Sequence, residues 1–207
     1  MPELNMEAFA IKNAQFVTSV GRGGNYPAAL PHEIAIVGRS NVGKSSLINT
    51  IAHNAKLARI SSVPGKTRLV NYYLVNRSFY LVDLPGYGYA QRSKSEQEEW
   101  GALMEEYLSS RRANHLFLLL DIRHVPSEED RQMFSWILYY GVPYTLIATK
   151  ADKIAKSKRK AAAAACAKAL GAPPYAIPFS SEERTGVEEL LSQIGQIVLD
   201  PAGADPE

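Results

Sequence analysis

Two hydrophobic patterns alternate along the chain. Short apolar runs are typical of buried strands, and segments with apolar residues every three or four positions are typical of amphipathic helices. The runs predict strands at 33–37, 68–75, 78–82, 116–120, 144–148 and 175–179. The second pattern predicts helices at 46–51, from 95 onward, at 126–140, through an alanine-rich segment to about 170, and at 187–199. This alternation predicts an α/β fold with a mainly parallel sheet and helices on both faces.

The hairpin and the chain ends refine this picture. Only Asn76 and Arg77 separate the second and third predicted strands, so one strand of that pair runs antiparallel. We expect residues 1–32 to form an N-terminal extension packed on a single domain of residues 33–199, and residues 200–207 to be a disordered tail.

Composition narrows the class of protein. The 207 residues are 46% hydrophobic, which suffices for one full core, and the net charge of +2 predicts no overall field for nucleic acid. A single cysteine excludes an internal disulfide and favours a reducing compartment. No apolar run approaches the length of a membrane span and the N-terminus lacks a signal-peptide pattern, so we expect a cytoplasmic protein, and a monomer.

The first strand leads into a phosphate-binding motif. Residues 38–45 read G-x-x-x-x-G-K-S between a predicted strand and a predicted helix, which is the context that a P-loop requires. Glycines permit backbone conformations that turn successive N–H groups toward phosphates, and the helix N-terminus adds unpaired donors. Lys44 would reach the β- and γ-phosphates, and the Ser45 hydroxyl would bind Mg²⁺. The alternative is a chance glycine-rich turn.

A second segment, Asp83 to Gly86 (DLPG), follows the third predicted strand. Asp83 would hold Mg²⁺ through water, while the Gly86 N–H would face the γ-phosphate. Thr67 is the only threonine between the P-loop helix and Asp83, so we predict that its hydroxyl also reaches the metal. Loss of the γ-phosphate would then release both loops. Alone, the segment could be an ordinary turn.

The segment Thr149 to Asp152 (TKAD) predicts the base. The Asp152 carboxylate can accept hydrogen bonds from N1–H and the 2-amino group of guanine, whereas adenine would leave it unpaired. Lys150 would lay its methylene stem along the base. Ser180 and Ser181 would offer hydroxyl and N–H groups near the guanine O6. A helix N-cap is the alternative role for Asp152.

All of these segments fall at the carboxyl ends of predicted strands, where ligands of parallel sheets bind. The predicted nucleotide contacts are Gly38, Arg39, Ser40, Asn41, Val42, Gly43, Lys44, Ser45, Ser46, Gly65, Lys66, Thr67, Asp83, Leu84, Pro85, Gly86, Thr149, Lys150, Ala151, Asp152, Phe179, Ser180 and Ser181.

The stretches GRSNVGKSSLIN, PGKTRLVNYY, VDLPGYGYA, TKADK and FSSEERTG together resemble the EngB family (also called YihA or YsxC), bacterial GTPases related to translation factors. The likeness extends from residue 16 to about residue 199. It implies a three-layer, six-stranded Ras-like domain that binds GTP and GDP with Mg²⁺. It also implies association with the large ribosomal subunit or its rRNA, a role in ribosome assembly, and a requirement in cell division and septation.

Two positions depart from the broader GTPase pattern. Thr149 stands where an asparagine is usual, and we expect the missing amide contact to weaken nucleotide affinity. Tyr87 stands where Ras-type enzymes carry a water-orienting glutamine, and Gln91 is too far along the chain to replace it. We therefore predict slow hydrolysis. Asn41 occupies the position at which related GTPases help to hold K⁺ beside the phosphates, so stimulation by K⁺ is a further hypothesis.

Two questions stay open at this level. One is the role of a basic segment, which suits an RNA backbone but equally suits a solvated helix. Its members are Lys150, Lys153, Lys156, Lys158, Arg159, Lys160 and Lys168. The second candidates for contact with RNA lie near the nucleotide and are Arg39, Arg68, Arg77 and Arg92. The other is the reaction. A switch GTPase, a GTP-dependent binding module with incidental hydrolysis, and a P-loop ATPase or nucleotide kinase all use such a loop, although Asp152 disfavours the last.

Overall fold

The computed structural model describes residues 9–58, 69–88 and 93–199. The strands are β1 (Ala14–Val20), β2 (Glu33–Gly38), β3 (Val70–Val75), β4 (Phe79–Asp83), β5 (His115–Asp121), β6 (Tyr144–Thr149) and β7 (Ile177–Pro178). The helices are α1 (Lys44–Ile51), α2 (Lys94–Ser109), α3 (Glu128–Tyr139), α4 (Arg159–Ala169) and α5 (Val187–Leu199), with short 3₁₀ turns at Ala151–Lys153 and Lys156–Lys158.

The strands form one mixed sheet in the order β1-β3-β4-β2-β5-β6-β7. Strand β3 runs antiparallel to both of its neighbours, and the other described pairs are parallel. The α/β class with one antiparallel strand is thus confirmed. The expected six strands are corrected to seven, because residues 14–20 pair with β3 and extend the sheet.

The last predicted strand is shorter in the structure than the sequence pattern indicates, for a local reason. Strand β7 has only two residues, Ile177 and Pro178, since proline lacks the N–H that a longer ladder needs and Tyr175 is exposed. The alanine-rich helix starts at Arg159, after the two 3₁₀ turns.

Helices α2 and α3 begin with capping boxes, formed by Ser93 with Glu96 and by Ser127 with Asp130.

The core lies on both faces of the sheet. Strand β2 is buried along its whole length, and its alternate side chains enter two different clusters. Helices α1 and α5 cover the face that contains Ile34 and Ile36, and α2, α3 and α4 cover the face that contains Ala35 and Val37. This three-layer arrangement is the reason that β2 reads as a continuous apolar run.

The carboxyl ends of four parallel strands meet at one edge of the sheet. Strands β2, β4, β5 and β6 end there at Gly38, Asp83, Asp121 and Thr149. The register pairs Ile36 with Asp83 and Asp121 with Thr149, so these ends lie side by side. Any ligand that contacts the predicted motifs must therefore bind at this edge.

Candidate nucleotide-binding site

The loop between β2 and α1 has the backbone of an anion site. Gly43 takes a positive φ of 115° immediately before α1, and no described side chain caps that helix. Its first N–H groups are therefore open to a ligand, unlike those of α2 and α3, and the helix dipole adds a positive potential. A side chain at Gly38 would place its Cβ 2.8 Å from the Leu119 carbonyl oxygen, so the loop can pack closely only with glycine there.

The DLPG segment lies directly against this loop. A Cβ on Gly86 would be 3.0 Å from the Lys44 Nζ and 3.1 Å from the Ser40 backbone nitrogen. The Ser40 N–H in turn donates to the Tyr87 carbonyl oxygen at 2.8 Å. The loop and the DLPG segment thus lie side by side, so a single phosphate could contact both.

Asp83 presents a buried carboxylate beside Lys44. It is 5% exposed, its Oδ1 has no hydrogen-bond partner among the described residues, and the Lys44 Nζ lies 4.0 Å away. Burial raises the pKa of Asp83, and Lys44 and a hydrogen bond from Asn71 oppose that rise. A buried acceptor of this kind costs free energy unless a cation or its water shell meets it.

These residues fit a magnesium ion. Asp83 would supply a carboxylate oxygen, and Ser45, half-buried in the first turn of α1, would supply a hydroxyl. When bound, the ion would neutralise phosphate charge. The predicted third ligand Thr67, with Gly65 and Lys66, lies outside the described residues.

Thr149 joins the phosphate-binding loop to the next segment. Its buried hydroxyl lies 2.7 Å from the Val42 carbonyl oxygen and 3.0 Å from that of Leu120. One hydroxyl has a single proton, so it can satisfy only one of these acceptors fully at a time. Thr149 therefore keeps one hydrogen bond to the P-loop, whereas the side-chain amide of an asparagine at this position would have two donors.

Asp152 is held by a chain of hydrogen bonds. Its Oδ1 accepts from the Ser180 hydroxyl at 2.7 Å, and its Oδ2 pairs with the Lys153 Nζ at 2.9 Å. Lys153 and then Ser180 lower the pKa of Asp152, so the group is a carboxylate at neutral pH. The Ala151 N–H donates to the Phe179 carbonyl oxygen at 3.0 Å, which links the two predicted base-binding segments.

The role predicted for Ser180 needs correction. Its hydroxyl donates to Asp152, and its N–H donates to the Thr185 carbonyl oxygen at 3.1 Å. Both donors are therefore occupied, and the residue is buried. Ser180 orients Asp152, and of the two serines Ser181 is left to meet a ligand.

Lys150 is anchored by a residue that the sequence interpretation had not selected. Its Nζ lies 3.0 Å from the Asp121 Oδ2, and Asp121 also accepts two hydrogen bonds from the Arg123 side chain at 2.9 and 2.7 Å. Arg123 and Lys150 hold the pKa of Asp121 well below its usual range. Asp121 ends a buried strand at the ligand edge, and that position was the available signal.

Tyr87 lies elsewhere than its place in the sequence suggests. It is 2% exposed and its hydroxyl donates to the buried Asp130 Oδ1 at 2.7 Å, so the side chain points between α2 and α3 rather than toward the phosphates. Its ring packs edge-on against Trp100, whose indole N–H donates to the Pro85 carbonyl oxygen at 2.9 Å. Trp100 also stacks on Trp136, with ring centroids 5.9 Å apart.

The basic residues divide into paired and exposed groups. Arg159 is buried against Glu183, and Lys150 and Lys153 pair with Asp121 and Asp152. The exposed members of the predicted segment, which make no described ion pair, are Lys156, Lys158, Lys160 and Lys168.

The prediction for Arg77 is wrong, and two of the other second candidates cannot be placed. Arg77 lies in the β3–β4 turn, which an antiparallel hairpin puts at the sheet end opposite the ligand edge. Arg39 lies at the ligand edge, where a Cβ on Gly88 would be 2.9 Å from its Nε. Arg68, Arg92 and Gln91 lie outside the described residues.

A phosphate-binding loop, a DLPG turn and a TKAD turn at one edge of a mixed sheet define a P-loop GTPase. Within the described residues, we find no helix with the length and apolarity that crossing a bilayer requires.

Residues 33–150 match the family described as 50S ribosome-binding GTPase. The chain is 49% identical over 193 residues to the probable GTP-binding protein EngB of Alkaliphilus metalliredigens, covering 92% of this chain and 93% of that protein. The chain belongs to the EngB family of GTP-binding proteins.

Solved structures share the fold. A crystal structure of a probable GTP-binding protein EngB aligns with a TM-score of 0.66 at 22% identity, over 80% of this chain and 98% of that one. A structure of Era in complex with MgGDPNP and nucleotides 1506–1542 of 16S ribosomal RNA aligns with a TM-score of 0.65 at 21% identity, over 87% of this chain and 60% of that one. At these identities the alignments show the fold alone.

Proposed function

We propose that this GTP-binding protein is a molecular switch in the assembly of the large ribosomal subunit. It binds GTP and GDP with Mg²⁺, hydrolyses GTP slowly, and is required for normal cell division and septation. The description of its family as 50S ribosome-binding supports the choice of partner.

One observation carries the switch: Gly86 packs against Lys44 and the P-loop backbone. A γ-phosphate bound by Lys44 is thereby within reach of the DLPG segment, and its loss removes a contact that both share. Thr67 would sense the same phosphate from the other side through Mg²⁺. The two segments then order with GTP and relax with GDP.

The remaining contacts follow from position. Backbone N–H groups of residues 38–46 enclose the phosphates, Ser45 and Asp83 hold Mg²⁺, and Asp152 pairs with guanine. Lys150 flanks the base, and residues 179–181 close the far side. Gly65 and Lys66 would contact the nucleotide beside Thr67.

Guanine selection is tested by titrating fluorescent GDP, GTP and ATP against the wild type and Asp152→Asn. The wild type should prefer the guanine nucleotides, and the variant should lose about a hundredfold of that preference because the carboxylate partner of N1–H and the 2-amino group is gone. An unchanged preference would refute the assignment of Asp152. Tight ATP binding by the wild type would favour the ATPase reading.

Slow hydrolysis follows from Tyr87, whose buried ring cannot orient an attacking water. Asn41 lies exposed in the P-loop and would help a bound K⁺ to offset developing charge. Hydrolysis in KCl should therefore exceed that in NaCl for the wild type, and Asn41→Ala should remove the difference. Equal wild-type rates in the two salts would rule out the K⁺ site.

The placement of Tyr87 also favours a second candidate function. In a GTP-dependent binding module, hydrolysis would be incidental and the ligand-bound state alone would act. Co-sedimentation with ribosomal subunits under GTP, GDP or a non-hydrolysable analogue distinguishes the two. A switch should be released after hydrolysis, whereas a binding module should dissociate equally slowly with GTP and with the analogue.

Contact with rRNA would use the exposed lysines near the base-binding segment. Lys156, Lys158 and Lys160 make no described ion pair, and phosphate contacts by such residues make affinity depend on salt. A triple change of these residues to glutamine should weaken co-sedimentation and reduce its salt dependence. Unaltered binding would mean that the interface lies elsewhere on the protein.

We propose that the protein acts as a cytoplasmic monomer, and its depletion should give cells with defective septa.

A further inference from the structure

Arg159 differs from every other basic residue of its segment. It is the first residue of α4, yet it is only 7% exposed, while Lys158 and Lys160 on either side are exposed. A guanidinium is rarely buried unless its donors are satisfied by specific partners. Its contacts therefore indicate what the residue does.

The guanidinium connects two separate parts of the chain. Its Nη1 donates to the Glu183 Oε2 at 2.7 Å and lies 3.3 Å from the Thr185 Oγ1. Its Nε lies 3.4 Å from the Ile154 carbonyl oxygen. Ile154 directly follows the 3₁₀ turn that carries Asp152, and residues 183–185 follow Ser180.

Both parts converge on Asp152. The Glu183 N–H donates to the Ser180 Oγ at 3.1 Å, and the same hydroxyl donates to the Asp152 Oδ1 at 2.7 Å. The Ser180 N–H donates to the carbonyl oxygen of Thr185, which closes the loop. The Arg159 guanidinium thus holds the side chain of Glu183, and the backbone N–H of the same residue leads through the Ser180 hydroxyl to the carboxylate.

We infer that Arg159 is a positioning residue for base selection: it fixes the loop that holds Ser180, and so sets the orientation in which Asp152 meets guanine. The inference rests on the proposed pairing of Asp152 with the base. Recognition by two parallel hydrogen bonds needs both carboxylate oxygens in one plane with the base edge, and a supporting set of contacts supplies that alignment. Arg159 thus acts through its neighbours and does not touch the ligand.

A purely structural ion pair would behave differently. Its loss would destabilise the fold and would lower the affinity for every nucleotide by the same factor. Loss of positioning would act on the hydrogen bond to the 2-amino group, which GDP has and IDP lacks. The ratio of GDP to IDP affinity therefore separates the two roles.

The test is a calorimetric titration of the full-length protein with GDP and with IDP. Arg159→Gln should lower the GDP-to-IDP affinity ratio about fivefold, because a misaligned acceptor retains only part of the discrimination that a buried carboxylate provides. Lys56→Gln, which removes one positive charge at an exposed position outside the site, should leave the ratio unchanged. A parallel fall in both affinities for Arg159→Gln, with the ratio intact, would overturn the inference.

Glu183→Ala keeps the test decisive if Arg159→Gln folds poorly. The Glu183 side chain is 39% exposed, so its removal leaves little cavity, and it should lower the ratio in the same direction. The double variant should fall no further than the single ones, since both act along one path. Additive effects would count against that path. If Asp152→Asn leaves the ratio unchanged, the proposed base contact itself fails, and this outcome is distinct from a failure of Arg159 alone.

Discussion

The two halves of the ligand edge are built on different principles. The phosphate half, residues 38–45 and 83–86, relies on glycine backbone and an uncapped helix, and it contains a buried carboxylate oxygen without a described hydrogen-bond partner. The base half, residues 149–152 and 180–185, is a network of side chains in which Asp152 and Ser180 already have partners. The first is complete only with a ligand, and the second is preorganised.

This difference assigns affinity and selectivity to different places. Phosphates and Mg²⁺ would supply the partners that the phosphate half lacks, so binding energy would be gained there for any nucleotide. On the proposed contact, the base half would need little rearrangement to accept guanine, whereas adenine offers Asp152 no donors in place of N1–H and the 2-amino group. Changes in one half should therefore affect all nucleotides alike, and changes in the other should affect only the choice among them.

The largest expected effect comes from the phosphate half. Lys44→Ala should lower the affinity for GDP and for IDP by about a hundredfold each, because a charge-assisted contact to phosphate is lost. Titration calorimetry measures both values, and Lys56→Ala at an exposed position is the matched control. A loss confined to GDP would contradict the division between the halves.

Thr149 lies at the junction, so its loss should be felt by both halves. Thr149→Val should lower the free energy of unfolding by about 1 kcal/mol, since two buried carbonyl oxygens share the missing donor. Affinity for GDP and IDP should fall together by a few fold. Thr149→Ser keeps the hydroxyl and should behave as the wild type in denaturant unfolding. Equal stability of the valine and serine variants would show that the hydrogen bond of the Thr149 hydroxyl does not stabilise the fold.

Stability of the ligand-free protein should respond in opposite directions in the two halves. Asp83→Asn should raise the free energy of unfolding by about 1 kcal/mol, because burial opposes the charge of the carboxylate that the amide replaces. Asp152→Asn should lower it only slightly, because Lys153, the partner of Asp152 in the ion pair, is exposed to solvent. Thermal unfolding without nucleotide or Mg²⁺ checks both. A destabilised Asp83→Asn protein would mean that the carboxylate is already satisfied.

The smallest effect concerns pH. The pKa of Asp152 lies below its usual value because of Lys153 and Ser180, so the group is a carboxylate at pH 5 as well as at pH 8. The preference for GDP over ADP should therefore be the same at pH 8 and at pH 5. Competition titrations at the two values test this, and a preference that declines toward pH 5 would mean that Asp152 is not held as the structure indicates.

The sequence predicts those features whose signals are local. The P-loop is recognisable from its spacing, and the positive φ at Gly43 agrees with the glycine that the motif requires there. Helix α5 was predicted with the bounds observed, 187–199, because its apolar period is regular. The start of α3 is equally visible, since acidic first-turn residues directly follow Ser127.

Features that depend on distant partners could not be predicted. Tyr87 turns inward because Asp130, 43 residues later, accepts its hydroxyl in the core. Arg159 is buried because Glu183, 24 residues away, meets it. Neither partner stands out by spacing, so a count of basic residues placed Arg159 on the surface. The pairing of β1 with β3 could not be predicted for the same reason, since the paired residues, from Val20 with Val70 to Ala14 with Val75, are far apart in the sequence.

The stacked tryptophans have a practical consequence. Trp100 and Trp136 are the two tryptophans of the sequence, and Trp100 is hydrogen-bonded to Pro85 inside the DLPG turn. Any displacement of that turn would alter the surroundings of both indoles and thereby their emission. If the proposed switch moves the DLPG turn, the exchange of GDP for GTP should change tryptophan emission and can be followed without attaching a dye.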